Sequence, residues 1–421
     1  MRCERLNVSG DAVGAARALR ELVPAAEAVS DQVAEIIARV RAGGDDALRF
    51  YTRQFDTRGR NPASLRVPDA ELDTALGRLD DSVRAGLVTA AANVRRVAEA
   101  GLTDAREVDF GGHLIALREA PVASAAIYVP GGRAPYPSTV VMGVVTARAA
   151  GVPHVSVFAP PGADGEVDEA VLGACRLTGA DAVYRMGGAQ AIAALAYGTE
   201  TVAPVDVIAG PGNLYVQEAK RQVSGQVGID GFAGPSDLVV IAAGGVDPQP
   251  LALDLLAQAE HGEGSLVVAI SDEATLLDAL AERIASAAET RAVVRLVAAA
   301  DLEQALVVSE AFAPEHLQLV GAGAEELAPR VTRVGCLFVG PSSGTAFGDY
   351  IAGSNHILPT NGAARFASAL SPTHFRRRFT EVRIGSDAAD LAREAAPIAR
   401  AEGFELHARS MEARIEDNGT A

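Results

Sequence analysis

Short apolar runs alternate with stretches of helical periodicity between residues 125 and 339, and glycine-rich turns join them. Such alternation is typical of a parallel sheet covered by helices on both faces. The predicted strands are 125–129, 155–159, 182–185, 205–209, 238–242, 266–270, 317–320 and 336–339. The predicted helices are 138–150, 166–178, 189–197, 214–223, 251–262, 273–288, 302–312 and 325–331. Because the pattern restarts after residue 235, we predict two related α/β halves, 123–235 and 236–372.

The N-terminal part of the chain carries a mostly helical pattern instead. Ser30 and Asp31 provide an N-cap before an apolar stripe, and Gly43 and Gly44 end the helix that begins there. Further helices are predicted at 45–55, 71–76, 81–100, 388–400 and 403–415, with a short strand at 114–117. The last helix exposes an apolar side around Leu406, which predicts that it packs against another chain.

Composition agrees with this pattern. The chain has 421 residues with 42 glycines and 21 prolines, which suits many tight turns between strands and helices. No repeat of short fixed period is visible, so a solenoid is not expected. The predicted fold class is α/β, with two related incomplete Rossmann-like parallel-sheet domains plus helical N- and C-terminal segments.

Charge and cysteine content narrow the class of protein. A formal charge of −17 argues against nucleic-acid binding. The basic run at 376–378 is interpreted as a solvated edge, with a phosphate contact as the alternative. Cys3, Cys175 and Cys336 lie far apart without a CxxC motif, as expected in a reducing cytosol, and Cys336 is interpreted as a buried packing residue. No signal-peptide core or membrane-spanning run is visible, so no membrane association is predicted.

The first candidate for chemistry is the segment 258–261. Gln258 and His261 are three residues apart, which places both on one face of the predicted helix. A neutral imidazole is a common ligand of transition metals, and zinc accepts nitrogen and oxygen donors. Taken alone, such a pair is more often a capped helix end with a surface histidine.

Glycine-rich turns supply a second candidate. The turns at 131–132, 187–188 and 210–213 follow predicted strands, where free N–H groups can bind an anion. None has the GxGxxG pattern of dinucleotide-binding proteins, and each could be a simple tight turn. Tyr128, Gln190 and Asn213 lie beside these turns and could contact a cofactor.

The third candidate is acid–base chemistry. Glu315 and His316 are adjacent where a loop enters a predicted strand, and such a pair can share proton transfer near neutral pH, although a surface pair would look the same. Asp349 and His356 lie in a glycine-rich segment, as an oxygen ligand and a substrate contact. Glu402 and His407 occur near the C-terminus, where a lone histidine is normally a surface residue.

Taken as an ordered set, these motifs are far more specific than any one of them. They lie at 128–132, 187–195, 210–213, 233–236, 258–261, 313–317, 348–350, 355–356 and 402–403, followed by His407. In this order the chain resembles the histidinol dehydrogenase family almost from end to end. The resemblance implies a cytoplasmic, NAD-linked enzyme with one Zn²⁺ per subunit. It would oxidise L-histidinol through L-histidinal to L-histidine, the last step of histidine biosynthesis, using two NAD.

The resemblance also implies a role for each site residue. Zinc would be held by Gln258, His261, Asp349 and His407. The substrate would meet these ligands together with Ser236, His316, His356 and Glu402. NAD would meet Tyr128, Gln190 and Asn213, and Glu315 with His316 would be the acid–base pair. Among the neighbouring residues, Asp237 stands where the family usually has a glutamate.

The same resemblance implies the oligomeric state and the domain boundaries of the chain. The family is a homodimer in which the C-terminal histidine reaches the partner's site. The expected divisions are an arm at 1–29, an α/β domain at 30–122 with 236–372 that carries the metal and acid–base residues, an NAD-contacting Rossmann-like domain at 123–235, and a dimerisation segment at 373–421.

Other functions remain as alternatives. A paralogous zinc and NAD dehydrogenase could act on another polar alcohol, but it should differ at Glu315, His316, His356 or Glu402, and none differs. A metal-dependent hydrolase, or a metal- and nucleotide-binding protein without activity, would not reduce NAD with histidinol.

Overall fold

The computed structural model describes residues 1, 3–8, 10–22, 29–60, 64–131, 134–231 and 234–415. Gly132 of the first glycine turn and Ala233 of the motif at 233–236 lie outside the described residues. Two compact units are present, one made of 1–101 with 122–375 and the other of 102–121 with 376–421. The four-part division given above stays a prediction.

The described chain contains fourteen strands and sixteen α-helices. The strands are β1 (Cys3–Asn7), β2 (Arg106–Asp109), β3 (His113–Pro121), β4 (Ser124–Tyr128), β5 (His154–Ala159), β6 (Ala182–Arg185), β7 (Val207–Ala209), β8 (Gly228–Ile229), β9 (Asp237–Ala242), β10 (Leu266–Ser271), β11 (Val293–Ala298), β12 (His316–Val320), β13 (Cys336–Val339) and β14 (Arg376–Ile384).

The helices are α1 (Ala12–Arg20), α2 (Ser30–Phe55), α3 (Asp69–Arg78), α4 (Asp81–Ala100), α5 (Pro137–Val140), α6 (Thr146–Ala149), α7 (Glu169–Thr178), α8 (Gly188–Tyr197), α9 (Leu214–Val223), α10 (Pro248–Ala259), α11 (Ala274–Ala285), α12 (Leu302–Phe312), α13 (Ala322–Glu325), α14 (Thr345–Tyr350), α15 (Ala388–Ala401) and α16 (Glu405–Glu412). A π-helical turn, Val141–Val145, joins α5 to α6.

Two parallel sheets form the first unit, so the predicted α/β fold class is confirmed. One sheet has the order β1-β11-β10-β9-β12-β13 and the other β6-β5-β4-β7-β8, and every pairing within them is parallel. All residues of β9, β10 and β12 are buried. Strands covered on both faces cannot alternate between core and solvent, which explains their nearly continuous apolar sequences.

The N-cap predicted at Ser30 and Asp31 is wrong, because α2 begins at Ser30 itself and its N-cap residue, Val29, makes no side-chain hydrogen bond to the helix. Two other helix features do agree with local sequence. The Asp80 side chain accepts hydrogen bonds from the backbone of Ser82 and Val83 and starts α4 at Asp81. Gly44 has φ 49° and ψ −134°, which breaks α2 into two helical parts at the predicted glycine pair.

Several predicted elements are wrong in detail. The helix at 71–76 was expected to end at Gly77, yet α3 continues through it, since one glycine inside a helix is tolerated. The helix at 325–331 is instead α13 followed by the 3-10 turn Ala328–Arg330, because Pro329 cannot continue an α-helix. Strands β1, β2, β8, β11 and β14 were not predicted; β1 is a mostly exposed edge strand with a polar sequence. The C-terminal segment was predicted to be helical, but it also contains the strand β14.

The second unit is built on an antiparallel sheet, β14-β3-β2, with helices α15 and α16. The basic run at 376–378 begins β14, and Arg376 and Arg378 pair with Glu119 of the neighbouring strand. Leu406 on α16 is 75% exposed within this chain. None of the helices among the described residues is long and apolar enough to span a membrane.

Candidate active site

Glu315 and Asp237 form a reciprocal pair of hydrogen bonds, here called the clasp, at the amino ends of β12 and β9. The backbone N–H of Asp237 donates to Glu315 Oε2 at 3.0 Å, and the backbone N–H of Glu315 donates to Asp237 Oδ1 at 2.7 Å. Both side chains are buried. Open α/β sheets usually bind ligands at the carboxyl ends of their strands, so this cluster lies at the opposite edge from the one that the fold rule favours.

Arg20 completes the support of this clasp from the end of α1. Its guanidinium donates to Asp237 Oδ2 at 2.7 Å and to the Phe312 carbonyl oxygen at 2.6 Å, and it stacks 3.6 Å above the Phe312 ring. The guanidinium thus bonds Asp237 with one nitrogen and the Phe312 carbonyl oxygen with the other, which ties this carboxylate to the end of α12. Asp237 therefore keeps both oxygens engaged, which fixes the Glu315 backbone.

His316 stands between two carboxyl groups. Its Nδ1 lies 3.2 Å from the Asp237 carbonyl oxygen and 3.7 Å from Glu315 Oε2. Its Nε2 lies 3.4 Å from Asp349 Oδ1, at ion-pairing distance, and makes no well-oriented hydrogen bond among the described residues. The ring can therefore exchange a proton at Nε2 without breaking a strong existing bond.

Burial and charge shift the acidities of these groups. Burial raises the pKa of Glu315 to about 8. Burial lowers the pKa of His316, but the charges of Glu315 and Asp349 outweigh it and raise that pKa to about 9. Burial likewise opposes the ionised form of Asp349, yet its contact with His316 keeps the pKa of this carboxyl below its usual value. Such opposed shifts are typical of acid–base sites.

Asp349 lies near two further histidines of the predicted site, His356 and His261. It lies on α14, its carbonyl oxygen is 2.7 Å from His356 Nδ1, and the charges of His356 and His261 act on its carboxylate. His356 Nε2 lies 3.1 Å from Thr139 Oγ1. Burial lowers the pKa of His356, which favours a neutral ring able to bind a polar ligand.

The pair Gln258 and His261 departs from its predicted geometry. Helix α10 ends at Ala259, and His261 lies in the following turn, so the helix predicted to 262 is too long. Gly262 and Gly264 have positive φ values of 79° and 88°, so the chain leaves the helical path after α10. Gln258 is buried, and its Nε2 has no hydrogen-bond partner among the described residues. His261 is exposed, with Nδ1 3.1 Å from the Gln258 carbonyl oxygen.

Within the described residues, no three His, Cys, Asp or Glu side chains form a group ready to hold a metal ion. Two members of the predicted zinc set, His261 and Asp349, belong to these residue types and to the first unit. Gln258 is an amide, and His407 lies on α16 of the second unit, together with Glu402 at the end of α15. The amide oxygen of Gln258, the carboxylate of Asp349 and the imidazole of His261 are ligand types that zinc accepts.

A separate cleft of about 1530 Å³ contains the predicted cofactor residues. Tyr128 ends β4, and Gln190 and Asn213 lie at the start of α8 and α9, so this cleft does follow the carboxyl-end rule. Gln190 is 1% exposed, and neither polar atom of its amide has a partner among the described residues. A buried amide without partners is costly unless a ligand satisfies it.

The other two cofactor residues have structural partners as well. The Tyr128 hydroxyl accepts a hydrogen bond from the Gly188 N–H at 3.1 Å. Asn213 Oδ1 caps α9 by accepting from the N–H of Tyr215 at 3.1 Å and Val216 at 3.2 Å. The oxygen of the Asn213 amide is therefore used by the helix, and its nitrogen takes no part in this cap.

Close packing explains the glycine turn before Asn213. Gly210 has φ 121°, and a Cβ there would overlap the carbonyl oxygen of Tyr128. Beneath the turn, the buried Lys220 ammonium donates to the Gly210 carbonyl at 2.5 Å and to Asp230 Oδ1 at 2.7 Å. This pair holds the turn rigidly, and its members lie too far along the chain from the glycines to have been recognised from sequence.

Sequence reasoning missed two further groups. Asp237 was noted only as a variant residue, whereas it clamps Glu315. Asp56, the C-cap of α2, reaches the cofactor cleft, and burial raises its pKa to about 7.

Ser236, a predicted substrate contact, lies next to Asp237, and its carbonyl oxygen accepts a hydrogen bond from the Leu266 N–H at 3.1 Å.

Comparison with known proteins shows the family of this chain. The sequence profile described as histidinol dehydrogenase matches residues 21–415. The chain belongs to the histidinol dehydrogenase family. It is therefore an NAD-dependent oxidoreductase of histidine biosynthesis.

Named relatives cover nearly the whole chain. The histidinol dehydrogenase of Cereibacter sphaeroides is 44% identical over 94% of this chain and 94% of its own length. That of Haloarcula marismortui is 42% identical over 93% and 94%. The crystal structure of the Elizabethkingia anophelis histidinol dehydrogenase matches with a TM-score of 0.92 and 29% identity, covering 99% of both chains.

Proposed function

We propose that this chain is a cytoplasmic, zinc-dependent histidinol dehydrogenase that oxidises L-histidinol through L-histidinal to L-histidine with two NAD. The observation that carries the proposal is the contact of the buried Glu315 and His316 with the half-buried Asp349, because each of the three groups has a shifted pKa suited to proton transfer. The cleft beside Gln190 supplies room for a dinucleotide.

Zinc would be held by Gln258, His261 and Asp349 of one chain and His407 of a second copy. When bound, zinc would orient the amine and imidazole of the substrate, and the nicotinamide would accept hydride. Asp349 is one cause of the raised pKa of His316. With that carboxylate neutralised by a bound cation, His316 would more readily be the neutral imidazole that can accept a proton.

His316 acts first in the proposed mechanism. In the tautomer whose Nδ1–H donates to the Asp237 carbonyl oxygen, Nε2 is left as the proton acceptor. Nε2 takes the proton of the substrate hydroxyl as the C–H bond gives up its hydride. The result is an aldehyde, held by the same groups.

Glu315 acts in the second oxidation. The aldehyde needs water before it can lose another hydride, and a carboxylate is a suitable base to activate that water. Burial raises the pKa of Glu315 to about 8, so its carboxyl group can both accept and release a proton near neutral pH. The Asp237 clasp holds the residue in place during this exchange.

Activity with histidinol tests the proposal. Purified protein should form NADH when L-histidinol is added, and a chelator should abolish the reaction until zinc is restored. Other polar alcohols should be oxidised at most weakly. NADH formation with another alcohol but not with L-histidinol would show that the chain is a paralogous dehydrogenase.

A mixed-dimer experiment tests whether His407 serves the other chain. His407→Ala and Gln258→Ala should each be inactive. In a mixed dimer, one site keeps both residues and the other loses both, so an equal mixture should recover about a quarter of the parent activity. If His407 served its own chain, every site would carry one lesion and mixing would restore nothing. A tag pull-down confirms that subunits exchange.

A further inference from the structure

Six acidic residues line the cofactor cleft together with Arg39, Arg58 and Arg78. Its acidic lining residues are Glu35, Asp56, Asp164, Glu166, Asp168 and Glu169. Four of them have partners in the protein. Asp164 accepts from the Glu166 N–H, Glu166 pairs with Arg185, Asp168 caps α7 through the Ala170 N–H, and Glu169 pairs with Arg78. Glu35 is exposed to solvent.

Asp56 differs from these five residues because one of its carboxylate oxygens, Oδ2, is fully buried and has no hydrogen-bond partner among the described residues. The residue follows the last turn of α2, where its backbone N–H donates to the Thr52 carbonyl oxygen. Its charge acts on the buried phenol of Tyr128, so the carboxylate lies on the Tyr128 side of the cleft. A buried acceptor without a donor is costly to the folded protein and is expected where a ligand supplies the donor.

The strand that usually supplies a carboxylate to a dinucleotide has none here. In Rossmann-type sites an acidic residue near the end of the second strand binds the ribose hydroxyls. In this chain the corresponding strand, β5, ends at Ala159 and is followed by Pro160 and Pro161, which also line the cleft. Asp56 brings a carboxylate to the cleft from a different element, the end of α2.

We propose that Asp56 is a specificity-determining residue that binds the vicinal hydroxyls of the adenosine ribose and excludes the 2′-phosphate of NADP. In its ionised form the Asp56 carboxylate offers acceptor oxygens and no donor, which matches two neighbouring hydroxyl groups. A phosphate at the same position would meet a like charge and offer no proton. The inference rests on the proposed NAD-linked function and extends it to the choice of nucleotide.

The test compares cofactors in Asp56→Asn. Affinity for NAD and NADP is measured by calorimetry, and kcat/KM is measured for both with L-histidinol. The variant should bind NAD about tenfold more weakly, and its preference for NAD over NADP should fall by at least about tenfold. The KM for L-histidinol and the melting temperature should change little, because the replaced carboxylate has no protein partner at Oδ2.

Asp168→Asn is the matched control. It removes a charge from the same cleft but keeps an oxygen that can cap α7, so NAD affinity and preference should stay at parent values. Parent-like NAD binding and NADP discrimination in Asp56→Asn would overturn the inference. A parent protein that binds NAD but does not oxidise L-histidinol would overturn the proposed function instead, and calorimetry would still decide the role of Asp56.

Discussion

Asp349→Ala is expected to lose its bound zinc and at least about a hundredfold of its activity while remaining folded. The carboxylate is one of the proposed ligands, and it also faces His316 Nε2 at 3.4 Å. Its removal therefore takes away a metal ligand and the charge that balances the imidazole. Zinc content by elemental analysis, with NADH formation on the same sample, measures both effects.

Glu260→Ala provides the matched control. Glu260 is an exposed acid between Gln258 and His261, and it is not among the proposed ligands. This variant should keep its zinc and its activity. Stoichiometric zinc and normal turnover in Asp349→Ala would remove Asp349 from the site.

Glu315→Gln should separate the two oxidations. We expect histidinal oxidation to fall by about a hundredfold or more, since a general base contributes that much. The first hydride transfer from histidinol needs no water, so its single-turnover rate should fall much less. Rapid-mixing measurement of NADH with each substrate distinguishes the steps.

Glutamine is a fair replacement because its amide oxygen can still accept the Asp237 N–H that now bonds Glu315 Oε2 at 3.0 Å. The clasp should therefore survive while the base is lost. Equal losses in both oxidations would mean that Glu315 has a general structural role rather than a role in activating water.

Local signals made much of this fold predictable. The glycine break at Gly44 could be recognised from neighbouring residues, and the buried parallel strands from their apolar runs. The same holds for Glu315 and His316, which are adjacent in sequence. These features depend on interactions within a few residues.

Features that depend on strand register could not be predicted in this way. Asp237 meets Glu315 only because β9 pairs with β12, and Arg20 reaches Asp237 from the end of α1. Strand β1 was missed because its polar edge sequence gains stability only from pairing with β11. Asp56 carries no motif, and its importance follows from burial in the cleft.

The central claim is that the cluster around Glu315 and His316 carries out a four-electron oxidation of histidinol. The most direct measurement is the yield of NADH from a limiting amount of L-histidinol, with the product identified by chromatography. We expect two NADH per histidinol and L-histidine as the product. One NADH per histidinol, with histidinal accumulating, would contradict the claim.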